Sequence, residues 1–342
     1  MRTVLLIGGT GTISTAVTRR FLEEGWDVTL ANRGNRTERV PDGAHVLTCD
    51  VWDIESRKAA LSGKNFDTVC QFIGFRPEQV QMDLDFFAGR CRQYMYISSA
   101  SAYHKPVCSP FITESTSLVN PFWQYSRDKI ACEHLLMEAC RNSGFPATII
   151  RPSHTYDERS VPVGVHGQFG SWQVLDRMMH GKPVLIQGDG TSLWTLTFNT
   201  DFAKGFVGLA GNPHAIGEAF HITGDETLTW NQIYETIADA LHVQLHPLHV
   251  SSDFLAETSS YGFEGSLTGD KAQSVIFDNT KLKKAVPGYQ ATIRFDQGVR
   301  ICLDHILAHP ELQRPDPDFD RYTDRVCEAL NAAKKTLCAE FC

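Results

Sequence analysis

Tyr125 and Lys129 stand four residues apart in the stretch YSRDK. In a helix that spacing puts a phenol and an ammonium on one face. A neighbouring cation favours phenolate, so such a Tyr can serve as a general base near neutral pH. Ser99, in the run YISSASAY at the end of a predicted strand, can hydrogen-bond the same substrate oxygen, and Ser101 follows it. On its own, a Tyr and a Lys at this spacing are usually just two residues on a helix face. The weight comes from the elements that position them.

Those elements start at residues 3–14, TVLLIGGTGTIS. Thr3 to Ile7 are almost all β-branched or Leu and read as a short buried strand. Gly8, Gly9 and Gly11 permit a sharp turn, and a helical pattern begins at Thr12. A strand, a glycine turn and a helix N-terminus together make an anion site. Gly8-x-x-Gly11-x-x-Ser14 and Gly9-x-Gly11-x-x-Ser14 both fit dinucleotide fingerprints, with Ser14 where a last glycine is usual. That position needs a small residue, and Ser adds little volume.

The tip of the second strand, Asp27 to Ala31, reads Asn32-Arg33-Gly34-Asn35-Arg36. A carboxylate there would bind the ribose hydroxyl of NAD, and none is present. Arg33 and Arg36 suit a 2′-phosphate, which tilts an NAD(P) cofactor toward NADP. Asp50, after the third strand, is placed either to meet the adenine or to cap a helix. The expected cofactor-lining set is Gly8, Gly11, Thr12, Ile13, Asn32, Arg33, Arg36, Asp50, Val51, Ile73, Gly74 and Ser98, with Tyr125 and Lys129.

Strands and helices alternate through about 150 residues, the pattern of a doubly wound parallel sheet, an α/β Rossmann domain. Strands are expected near 3–7, 27–31, 45–47, 66–73, 93–98 and 147–151, with a long helix within 120–143. The strand ends should converge on one crevice. After Arg151 the texture changes to a loop-rich segment with Gly164, Gly167, Gly170, Gly181, Gly188 and Gly190. This predicts a Rossmann domain over 1–154 that 193–212 rejoins. A smaller mixed α/β substrate lobe should cover 155–310, and a linker and helix 311–342.

Composition narrows the function. The 342 residues carry 32 basic and 40 acidic side chains, a net charge of −8, which argues against a general nucleic-acid binder. No apolar run approaches the roughly 18 residues that span a bilayer, so a cytoplasmic protein without membrane partners is expected. Ten scattered cysteines with no Cys-x-x-Cys pair read as reduced thiols. His242, His246 and His249 lack accompanying Cys or carboxylate residues, and no metal site is expected.

The chain resembles the extended short-chain dehydrogenase/reductase family of sugar-nucleotide epimerases and dehydratases. GGTGTIS (8–14), YISSASAY (96–103), YSRDK (125–129), RPSHTY (151–156) and QGDGTSLWTLTFNTDFA (187–203) carry the likeness. It implies Ser99, Tyr125 and Lys129 as the catalytic set, with Lys129 also on the nicotinamide ribose. It places Pro152 and Ser153 at the nicotinamide end. The implied reaction is epimerisation or oxidoreduction at a carbohydrate-like secondary alcohol, and family members often form homodimers.

Two positions depart from the pattern. Where family members carry an Arg that clamps a diphosphate stands Trp194, and where Asn is usual stands His154. With Ser99 and Ser101, these are the expected substrate residues. An indole suits a sugar ring or base better than two phosphates. Arg177 or Lys182 would have to replace the missing cation. Ala100 and Ser101 leave no acid for a dehydratase step. A one-way NADPH-dependent reductase is the alternative. Asn32-Arg33-Gly34 and LWTLTF also resemble chloroplast stem-loop binding members of the family, the RNA-binding alternative.

Overall fold

The computed structural model describes residues 1–341. They form two compact units. The first comprises 1–155, 195–225 and 276–293; the second comprises 156–194, 226–275 and the chain from Arg294 on.

The first unit is built on β1 (Thr3–Ile7), β2 (Asp27–Asn32), β3 (His45–Thr48), β4 (Phe66–Gln71), β5 (Cys91–Ile97), β6 (Phe111–Ile112), β7 (Ala147–Pro152), β8 (Ala219–Ile222) and β9 (Ile276–Phe277). Its helices are α1 (Thr12–Glu23), α2 (Ile54–Leu61), α3 (Pro77–Phe87), α4 (Gln124–Ser143), α5 (Asn199–Leu209) and α6 (Thr280–Ala285). Seven strands form one sheet in the order β8-β7-β5-β4-β1-β2-β3, and every pairing is parallel. The doubly wound Rossmann sheet is therefore present, with the order reversing beside β1.

Alternation along β1 builds both cores. Val4 and Leu6 join Phe21, Val28, Phe202 and Phe206 on one face. Leu5 and Ile7 join Leu61, Val80, Phe87 and Leu136 on the other. Gly8 (φ +110°) and Gly9 (φ +85°) make the turn into α1, and a Cβ on Gly9 would sit 2.7 Å from Leu30 Cδ2. Ser14 does more than save space. Its Oγ accepts the Gly11 N–H at 2.8 Å and caps α1.

The long helix occupies Gln124–Ser143, inside the expected 120–143. The Asn120 side chain accepts from Phe122 N and donates to Ser101 O, which holds 120–123 as a turn. Two short strands, Leu193–Trp194 and Leu196–Phe198, lie side by side in the sequence. The first unit also reclaims 276–293, because β9 pairs with β6 and Asn279 bonds Thr223 O and Gly224 O. Such short pairings between distant segments leave no periodic trace in a sequence.

In the second unit, helices span Trp172–Met179, Trp230–Leu241 and Phe295–Ala308, and Val184–Gln187 pairs in parallel with Pro247–Val250. The helix Pro317–Phe341 belongs to this unit. Arg177 bonds Asp320 and Asp324 on it, and Asp316 before it accepts the N–H of Gln168. No helix among the described residues is long and apolar enough to cross a membrane.

Candidate active site

The sheet delivers its functional groups at the carboxyl ends of the strands. At the β1 and β2 ends lies a cleft of about 530 Å³. Gly8, Thr10, Asn32, Arg33, Asn35, Arg36, Asp50, Val51, Trp52, Ile73 and Phe75 are among its lining residues. Asn32 Oδ1 accepts from Gly34 N, while its buried Nδ2 has no protein partner. Arg33 and Arg36 are exposed at the rim and take part in no ion pair among the described residues. Asp50 is not the α2 cap; Asp53 fills that role by accepting Ser56 N. Asp50 Oδ1 instead takes Trp52 N in a local turn on the cleft wall. A glycine turn that excludes side chains, an orphaned amide donor and unpaired cations fit a dinucleotide phosphate.

Further along the strand ends, Lys129 is 1% exposed. Its Nζ donates to Gly74 O (2.8 Å), Ile97 O (2.7 Å) and Tyr96 Oη (3.3 Å). Burial pulls its pKa down to about 8. The ammonium stands 4.8 Å from the ring centres of Phe75 and Tyr96 and 5.8 Å from that of Tyr125. Tyr125 is half-buried, with Trp123 5.0 Å away on one side and Phe75 at 6.5 Å. The i, i+4 spacing on α4 does bring the phenol and the ammonium to one place.

Ser99 Oγ lies 2.8 Å from Ser101 Oγ, which accepts from Ser126 Oγ at 2.8 Å. Asn120 Nδ2 donates to Ser101 O at 2.8 Å. Ser126 and Asn120 were not foreseen. Ser126 directly follows Tyr125, so its inward position on α4 was the available signal.

Beneath lies a buried polar chain. Ser98 Oγ donates to Glu133, and Glu133 takes Nε and Nη2 of Arg151. Arg151 Nη1 donates to Tyr103 Oη (3.2 Å), which lies 3.1 Å from His221 Nδ1. His221 Nε2 donates to Asp278 O at 2.8 Å, which leaves Nδ1 to accept from Tyr103. Burial lowers the His221 pKa, in keeping with a neutral ring. Ser98 thus turns inward to Glu133.

The other expected residues are placed as follows. Thr12 and Ile13 open α1, and Thr12 O accepts from Asn199 Nδ2 at 3.0 Å. Pro152 ends β7, with Ser153 and His154 half-buried after it. Trp194 lies in the second unit. It is 3% exposed and stacks on Trp230 with ring centres 5.6 Å apart. Its indole is packed in that unit's core rather than presented as an open platform. Arg177 and Lys182 are bound by Asp320 and Asp324, so neither stands as a spare cation. Among the described residues no group of His, Cys, Asp and Glu is arranged to hold a metal.

The family model described as "NAD dependent epimerase/dehydratase family" matches residues 4–223. The chain belongs to that family. Among curated relatives, a 2′-dehydrokanamycin reductase of Streptomyces kanamyceticus is 24% identical over 84% of this chain and 80% of its own length. The chloroplast stem-loop binding protein of 41 kDa b of Arabidopsis thaliana is 27% identical over 69% of this chain, and the match spans 62% of that protein. Among solved structures, an epimerase of Methanothermobacter thermautotrophicus superposes with a TM-score of 0.74 at 16% identity, covering 92% and 94% of the two chains. The UDP-glucuronic acid 4-epimerase of Bacillus cereus, in complex with UDP-glucuronic acid and NAD, gives 0.70 at 18% identity over 90% and 99%. These two structural likenesses establish the fold.

Proposed function

We propose that this family member is an NAD(P)-dependent epimerase or oxidoreductase acting on a sugar or sugar-nucleotide-like secondary alcohol. The observation that carries the reading is Tyr125 held beside the Lys129 ammonium, at the strand ends next to the Ser99–Ser101–Ser126 hydroxyl chain. Gly8, Gly11, Asn32, Arg33, Arg36, Asp50, Val51 and Ile73 would hold the dinucleotide, with NADP favoured by the two unpaired arginines. When bound, the nicotinamide supplies the hydride acceptor or donor. Tyr125 Oη takes the proton of the substrate hydroxyl, and Lys129 favours the resulting phenolate through space. Ser99 Oγ orients the same oxygen, with Ser101 and Ser126 fixing its direction. Phe75 and Trp123 flank the phenol ring.

A one-way reductase is the second reading, supported by the relative named for reduction of 2′-dehydrokanamycin. Net consumption of free NADPH would select it over an epimerase. An RNA-binding role is disfavoured by the charge of −8 and by the complete Ser99–Tyr125–Lys129 set. The deciding experiment screens free sugars, glycosides and nucleotide sugars with both cofactors, then repeats the active pair with Tyr125→Phe. Loss of a general base should cost roughly 10²–10⁴ in turnover. Turnover within about threefold of wild type refutes the assignment.

A further inference from the structure

The three N–H donors of Lys129 all go to protein oxygens: Gly74 O, Ile97 O and Tyr96 Oη. Two of these contacts depend on one loop, residues 73–76. Gly74 O takes Nζ and also takes the Tyr96 hydroxyl at 3.0 Å, which turns the Tyr96 lone pairs toward the ammonium. The Phe75 ring stands 4.8 Å from the same nitrogen. Yet Phe75 is 45% exposed, so apolar packing does not by itself hold that ring in place.

Two glutamines hold the loop. Gln71 Oε1 accepts the Ile73 N–H at 2.8 Å. Gln79 Oε1 accepts the Phe75 N–H at 2.7 Å and the Arg76 N–H at 3.0 Å. Gln71 is fully buried at the end of β4, and its Nε2 donates to Asp83 Oδ2 at 2.6 Å. A backbone N–H can only donate and a carboxylate can only accept, so the amide has one permitted orientation. Asp83 is fixed in turn, because Arg57 Nη2 donates to its Oδ1 and Tyr94 Oη to its Oδ2 at 2.5 Å. Gln79 and Asp83 stand four residues apart on α3, so one helix face braces the loop at both ends. The fit is close at Gly74, where a Cβ would lie 3.0 Å from Gln71 Cγ and 3.4 Å from Tyr96 Cε2.

We propose that Gln71 and Gln79 are positioning residues for Lys129: they fix the loop that presents the Gly74 carbonyl and the Phe75 ring to its ammonium. The inference deepens the proposed function and rests on it for the role of Lys129 beside Tyr125. Both glutamines act through the loop backbone. A slack loop would let water reach the ammonium and let its charge drift from the phenol. The other groups facing Lys129 come from elsewhere: Tyr96 from β5, and Tyr125, Cys132 and Glu133 from α4. Burial is the largest influence on its titration, and it is the one the loop controls.

The test reads Lys129 directly, without substrate. The full chain, isotopically labelled at the lysine Cε, is titrated by NMR, and the resonance missing from Lys129→Met is that of Lys129. Wild type should titrate near pH 8. Gln71→Met keeps the volume but offers no acceptor to Ile73. It should raise the midpoint by about one pH unit toward 10.5 as water reaches the ammonium. Gln79→Ala should raise it by about half as much. With an active substrate, Gln71→Met should lower kcat about tenfold and change KM less than about twofold. A purely structural role lowers stability and leaves the midpoint near 8, and that result in folded Gln71→Met overturns the proposal. Should Gln71→Met fail to fold, the midpoint of Gln79→Ala decides, since Gln79 is only half-buried. A raised midpoint together with unimpaired turnover in Tyr125→Phe would sink the catalytic reading and leave the positioning of Lys129 standing.

Discussion

Glu133 and Arg151 form a buried ion pair, with Arg151 Nη2 2.6 Å from Glu133 Oε2 and Nε 3.0 Å from Oε1. The pair joins α4, which carries Tyr125, to β7. It also holds Ser98 through Glu133 and Tyr103 through Arg151. Removing one partner leaves the other charge buried and unpaired, at a cost of about 3–5 kcal/mol. Glu133→Gln should therefore unfold in urea with a loss of that order. Replacing both, as Glu133→Leu with Arg151→Met, should recover much of it. A loss below about 1 kcal/mol for Glu133→Gln would show that the pair does not hold α4 on the sheet.

The depressed pKa of Lys129 makes a prediction whose sign is fixed. In the folded chain the ammonium titrates near pH 8, against 10.5 for an ordinary lysine. Below pH 8 both folded and unfolded chains carry the proton, and the burial penalty is fully present. Between these two values the unfolded chain binds the proton that the folded chain has lost, so stability rises with pH. Lys129→Met has nothing to titrate. The stability of wild type relative to Lys129→Met should climb from pH 8 to pH 10 in urea unfolding, and a flat difference would contradict the shift. Turnover should move the opposite way, declining above pH 8 as the cation beside Tyr125 is lost.

What was legible in the sequence and what was not divides along a physical line. Six of the seven strands of the sheet show because each is a short apolar run closed by a glycine or polar tip, whereas β8 falls in the segment expected to belong to the substrate lobe. Tyr125 and Lys129 show because helical spacing fixes which residues share a face. Asn120, Ser126 and Ser101 meet across three segments, and no local period encodes that meeting. The same holds for Tyr103 with His221 and for β6 with β9. Trp194 illustrates the opposite hazard: a position inferred from a motif was filled by an indole that packs on Trp230.

Arg33 and Arg36 rim the cleft without carboxylate partners among the described residues, whereas a ribose hydroxyl needs an acceptor there. Charge-assisted bonds to a phosphate are worth about 1.5–3 kcal/mol, less at an exposed rim. Arg33→Ala should weaken NADPH binding roughly tenfold and change NADH binding less than about threefold. Fluorescence titration of both nucleotides measures the ratio. Equal losses for the two would place Arg33 on the adenine or the shared diphosphate and remove the preference for NADP.

Arg177 is 1% exposed and is saturated by protein acceptors. Its Nε donates to Pro183 O at 2.8 Å, Nη1 to Asp320 Oδ1 at 2.5 Å and Nη2 to Asp324 Oδ1 at 2.8 Å. It ties the helix Trp172–Met179 to the start of the helix Pro317–Phe341. Lys182 adds a second contact to Asp320 at 3.1 Å. A cation used in this way has no donors left for a substrate phosphate. Arg177→Met should therefore destabilise the second unit and increase hydrogen exchange over 317–326. In the fraction that remains folded, diphosphate affinity should stay within about twofold of wild type, because Arg177 has no donor left to hold a phosphate. A selective loss of diphosphate binding with unchanged exchange would place Arg177 on the ligand instead.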